Sequence, residues 1–65
     1  MTDAEILQSW LFSMSKNKRI KYRKKIEAEC QVTKSAVYYW INGKRKLKDI
    51  YKKKINKVAN KQLFE

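Results

Sequence analysis

Ser35, Tyr38, Tyr39 and Asn42 fall at i, i+3, i+4 and i+7, which sets three hydroxyls and an amide along one face of a helix. Such groups give and take hydrogen bonds without changing charge near neutral pH, so their chemistry is recognition rather than proton transfer. The opposite face carries Val37, Trp40 and Ile41 at the spacing of a buried stripe. Thr33 is a good N-terminal cap, and Asn42-Gly43 is a good stop because Gly accepts the left-handed backbone needed there. A helix over about 33–42 is therefore predicted, with a bulky inner face and a hydrogen-bonding outer one.

The surroundings of this segment indicate what it would recognise. The 65 residues hold 17 Lys and Arg against six Asp and Glu, with no His, for a net charge of +11. Such an excess repels itself unless a polyanion neutralises it, which makes nucleic acid the expected partner. The bases are unevenly placed. Residues 16–25 carry seven bases and no acid, and residues 44–61 carry nine bases against Asp49, so two basic blocks flank the segment. Lys44, Arg45 and Lys46 follow it directly and are expected beside a phosphate backbone. Most of the bases are Lys, which suits point contacts with phosphates better than bidentate base reading.

Other chemistries find little support. Without His, a glycine-rich phosphate loop or an evident carboxylate pair, catalysis is not expected, and neither is a small-molecule substrate. The lone Cys30 makes no intramolecular disulfide and no metal-site spacing, so no metal and no cofactor are expected. No apolar run approaches a membrane span, and the N-terminus lacks a basic-then-apolar leader. The expectation is a cytoplasmic, nucleoid-associated protein.

With 43% hydrophobic residues, one Gly and no Pro, the chain favours a single all-α domain, 1–65, with one compact core. Helix 1 is predicted over about 3–14, opened by the capping box Thr2/Glu5, with Ile6, Leu7, Trp10, Leu11 and Met14 inward. A second helix over about 18–30 turns Tyr22, Ile26 and Cys30 to the core, after a turn with Ser15 or Asn17 as its cap. Gln31-Val32 connects it to the helix at 33–42, where Val32 and Val37 form a hydrophobic staple. A fourth helix over about 48–63 presents Ile50 or Tyr51, then Ile55, Val58, Ala59 and Leu63 in one apolar stripe, with Phe64 as a further candidate for it.

Two helices joined by so short a turn make a helix-turn-helix. From Arg23 to Lys44 the chain resembles the helix-turn-helix of the lambdoid phage repressor and Cro group, and within it short phage or mobile-element regulators. The matching residues are Ile26, Cys30, Thr33, Val37, Trp40 and the ending Asn42-Gly43-Lys44. The resemblance implies a lambda-repressor-like fold that binds double-stranded DNA, with the helix at 33–42 in the major groove and the helix at 18–30 bracing it. Lys34, Ser35 and Tyr39 would face base edges, with Thr33 and Tyr38 beside them. Arg23, Asn42 and Lys44 would hold phosphates. Transcriptional regulation by a homodimer is typical of the group; Leu63, Phe64 and exposed parts of helix 1 are the candidate dimer surface. Two positions depart from it: Gln31 stands where the group has Gly, and Glu27 where it has a small residue. A non-Gly residue in the left-handed conformation costs on the order of 1 kcal/mol, so a wider turn or a different crossing of the two helices is the alternative. Rival functions are sequence-independent binding of DNA or structured RNA, as in a small architectural or excision protein, and a partner- or membrane-surface role for the basic fourth helix.

Overall fold

The computed structural model describes residues 2–64 and contains four helices: α1 Asp3–Phe12, α2 Lys16–Cys30, α3 Lys34–Ile41 and α4 Asp49–Ala59. No strand occurs among the described residues. The result is an all-α globule of about 26 × 23 × 21 Å. Among the described residues no helix is long and apolar enough to cross a membrane.

α1 opens on the expected reciprocal cap. The Glu5 amide donates to the Thr2 hydroxyl at 3.2 Å, and the Thr2 amide donates to Glu5 Oε1 at 3.2 Å. The Thr2 hydroxyl also donates to Glu5 Oε1, at 3.0 Å, and the two bonds from the Thr2 amide and hydroxyl to this carboxylate lower the Glu5 pKa below the ordinary carboxylate value, because they favour its charged form. The helix ends two residues before the expected Met14. The Ser13 hydroxyl donates to the Trp10 carbonyl at 2.7 Å, a local bond that competes with a further turn.

α2 begins at Lys16, two residues earlier than expected, and its N-cap Ser15 makes no side-chain capping bond. Ile26 and Cys30 are buried, while Tyr22 packs edge-on against Trp10 with ring centres 5.6 Å apart. Burial pushes the Cys30 thiol pKa up, which keeps it protonated and unreactive.

The turn that follows keeps a left-handed residue rather than widening. Gln31 has φ 56° and ψ 47°, and the amides of Gln31 and Val32 both donate to the Glu27 carbonyl. These bonds satisfy the helix end and hold the strained residue in place. Thr33 then caps α3, its hydroxyl accepting from the Ala36 amide at 3.3 Å. Gly43 ends α3 with φ 74°. A Cβ there would meet Ala4 only at ordinary contact distance, so glycine is needed for its backbone and not for space.

α4 is shorter than the predicted helix over 48–63. Asn60 takes the left-handed conformation with φ 56°, and the chain folds back after it. The Asn56 side chain holds that return: Oδ1 accepts from the amides of Leu63 and Phe64 at 2.8 and 2.9 Å, and Nδ2 donates to the Phe64 carbonyl at 2.9 Å. Phe64, a candidate both for the apolar stripe and for a dimer surface, is buried in the core at 3% exposure.

α2 packs on α4 and α3, and α1 packs on α3 and α2. Their shared core is Leu7, Leu11, Ile26, Cys30, Val37, Trp40, Ile41, Leu47, Ile55 and Phe64. On α4 it is Tyr51 that faces inward, its ring 5.0 Å from Trp40, whereas Ile50 is exposed. Ala36 and Leu47 are also buried, although neither belongs to an evident apolar stripe.

Two measurements check this local physics. Gln31→Gly relieves left-handed strain but loosens the unfolded chain, and is expected to stabilise the fold by about 0.5 kcal/mol in urea unfolding; no gain would mean that Gln31 is unstrained. The ionised Glu5 adds stability that is complete above the ordinary glutamate range and disappears as pH falls through its lowered folded value. Glu5→Gln should therefore destabilise the protein near about pH 7 and leave it unchanged near about pH 2. Equal losses at both would assign the effect to packing.

Candidate nucleic-acid interface

The inner residues of α3 are almost wholly withdrawn from solvent: Val37 is 0%, Trp40 3% and Ile41 6% exposed. Its outer residues, Ser35, Tyr38, Tyr39 and Asn42, are all exposed together with Thr33 and Lys34. The short helix thus offers a continuous hydrogen-bonding face from a fixed base. Thr33 spends one oxygen lone pair on its own cap but keeps a hydroxyl proton to donate.

Cations border both tyrosines. The Lys34 ammonium lies 5.8 Å from the Tyr38 ring centre, and the Arg45 guanidinium lies 5.3 Å from that of Tyr39. Arg45 is set there by the backbone, since the amides of Lys44 and Arg45 both donate to the Tyr39 carbonyl, at 2.9 and 3.3 Å. Buried Leu47 pins the far side of the same loop to the core, leaving Lys44, Arg45 and Lys46 exposed. Asn42 remains beside them as the C-cap of α3.

Arg23, expected at a phosphate, is bonded to two side chains of the protein itself. Its Nε donates to Glu27 Oε2 at 3.3 Å, and its Nη1 donates to the Tyr38 hydroxyl at 3.1 Å. Its side chain is only 14% exposed. Arg23 therefore acts as a strut that ties α2 to the outer face of α3 and fixes the Tyr38 ring. Glu27, out of place as a large residue in the turn region, is explained by the same contact: it anchors the guanidinium from one turn along α2.

Apart from Glu27, which is held on Arg23 behind Tyr38, this face is built from a segment rich in bases. Residues 30–48 contain no acid and carry Lys34, Lys44, Arg45, Lys46 and Lys48. Three other acids pair with lysines of α4. Asp3 pairs with Lys52 at 2.8 Å, Asp49 approaches the same lysine at 3.6 Å, and Glu29 pairs with Lys57 at 3.3 Å. The hydrogen bond to Asp3 raises the Lys52 pKa, which keeps that base charged. No group of His, Cys, Asp and Glu suited to a metal ion occurs among the described residues.

Sequence spacing found the outer face of α3 but missed two contacts behind it. The Arg23–Tyr38 bond spans 15 positions and has no local signature. Leu47 gave a weak signal as the only apolar residue of a basic loop. A double-mutant cycle of Arg23→Met and Tyr38→Phe is expected to give a coupling of about 1 kcal/mol in urea unfolding. Strict additivity would mean that the strut contributes nothing.

The chain matches no known family profile, and no curated protein and no solved structure is significantly similar to it.

Proposed function

We propose that this chain is a sequence-specific double-stranded DNA-binding protein in which α2, the turn at 31–33 and α3 act as a helix-turn-helix of the lambdoid repressor type. The observation that carries the reading is the two-sidedness of α3. One face is buried to within a few per cent, and the other exposes Ser35, Tyr38, Tyr39 and Asn42 inside a segment without a single acid. A helix about 10–12 Å across fits the major groove, where hydroxyls and an ammonium can pair with base edges.

In this reading Lys34, Ser35, Tyr38 and Tyr39 meet bases, with Thr33 at the leading end. Lys34 donates to guanine O6 and N7, while Tyr39 offers a hydroxyl and a ring edge that suits a thymine methyl. Asn42, Lys44, Arg45 and Lys46 hold the adjoining phosphates. Arg23 keeps Tyr38 in register. The protein would regulate transcription in a phage or mobile-element setting, as a homodimer on a two-fold site, and as a binder rather than a catalyst.

Sequence-independent binding is the second reading, favoured by the lysines exposed along α2. Selection of bound duplexes from a random pool separates the two. A defined preferred sequence is expected, and equal affinity for selected and scrambled duplexes at every salt concentration would overturn specificity. Tyr39→Ala should relax the preference. Lys44→Ala should weaken binding to all duplexes and shallow the salt slope by about 1. An unchanged preference in Tyr39→Ala would remove that residue from the base-reading face.

A further inference from the structure

The face of α3 and its flanking loop use only a minority of the positive charge. A second concentration lies on α2. Lys18, Lys21 and Lys25 are spaced i, i+3, i+7 and all three are exposed. At 100° per residue they lie about 140–160° around α2 from Arg23, the residue that faces Tyr38. Two contacts confirm that they belong to a different side. The Lys25 ammonium lies 5.0 Å from the ring of Tyr22, which packs towards α1, and Glu29 next along this side reaches across to Lys57 of α4.

Apart from the Tyr22 ring under Lys25, the fold gives this row no partner among the described residues. None of the three lysines has a carboxylate partner among the described residues, and like charges at such spacing repel within a helix. The row extends about 10 Å along the helix axis, a length over which duplex DNA presents on the order of six phosphates. Lipid is the poorer match. The large apolar side chains exposed in the structure are Phe12, Tyr38, Tyr39 and Ile50, none on this row, so it has no apolar edge to insert into a bilayer.

We propose that Lys18, Lys21 and Lys25 form a second, sequence-independent DNA contact, so that one chain holds one duplex on α3 and draws a second against the opposite side of α2. The joining of two duplexes rests on the α3 reading above; the phosphate contact of the lysine row does not. Three phosphate contacts give a salt slope of about −2.7, so this second contact weakens about 40-fold between about 50 and about 200 mM salt.

The test uses the full chain with two duplexes of mixed sequence, one carrying a donor dye and the other an acceptor. At low salt the protein should bring them together and produce energy transfer. The combined Lys18→Gln, Lys21→Gln, Lys25→Gln variant should lose that transfer to background, since the row supplies the whole second contact. The corresponding triple Arg variant should retain it, and the Gln variant should keep the same selected sequence. Transfer that survives in the Gln variant would overturn the proposal, since a dimer displaying two α3 faces would then suffice. So would an absence of transfer accompanied by lysine-dependent binding to phosphatidylglycerol vesicles. Lysine-dependent transfer without any sequence preference would overturn the α3 reading and leave the phosphate contact on α2 standing.

Discussion

An eight-residue helix is not stable by itself in water, because the cost of its first turn is repaid by too few further bonds. α3 exists because Val37, Trp40 and Ile41 are taken into a core that α1, α2 and α4 also line. Full burial of a side chain of this size is worth roughly 1.5–3 kcal/mol, so this inner face supplies the stability that the outer face cannot. The same burial removes the freedom of α3 to rock. Its outer side chains then keep a fixed spacing, which is the condition for reading a pattern of donors and acceptors.

Charge imposes the second constraint. A domain this small and this basic can spare few acids, and it places them where they bind helices together. Asp3–Lys52 ties α1 to α4, Glu29–Lys57 ties α2 to α4, and Glu27 steadies the arginine that reaches α3. Such partly exposed pairs each contribute little to stability. Their larger effect is on the field. With the acids gathered between helices, residues 30–48 are left without negative charge, and the exposed face of α3 lies in the middle of that segment.

Where local chemistry decides, the fold was legible. The Thr2/Glu5 box and the Thr33 cap set the starts of α1 and α3 to within a residue, and the apolar spacing gave the correct inner faces. Gln31 is instructive. The sequence showed that a non-glycine would bear the strain of the turn, and the structure shows that it does, held by two bonds to the Glu27 carbonyl. The end of α4 was not legible, because Val58, Ala59 and Leu63 continue a plausible stripe. The helix stops at left-handed Asn60, and the return is held by Asn56, whose amide makes three hydrogen bonds to residues seven and eight positions away.

By itself the sequence determined an all-α chain of four helices, a strong positive charge, and which face of α3 must be buried, since caps and 3.6-residue periodicity act over a few positions. Only the tertiary structure decided that Arg23 braces Tyr38, that Leu47 pins the basic loop and that Phe64 closes the core. Each of these joins residues distant in the chain, and their energies depend on how α2, α3, α4 and the C-terminal return meet. Periodicity can point a residue inward or outward, but it cannot say which neighbour will be waiting there.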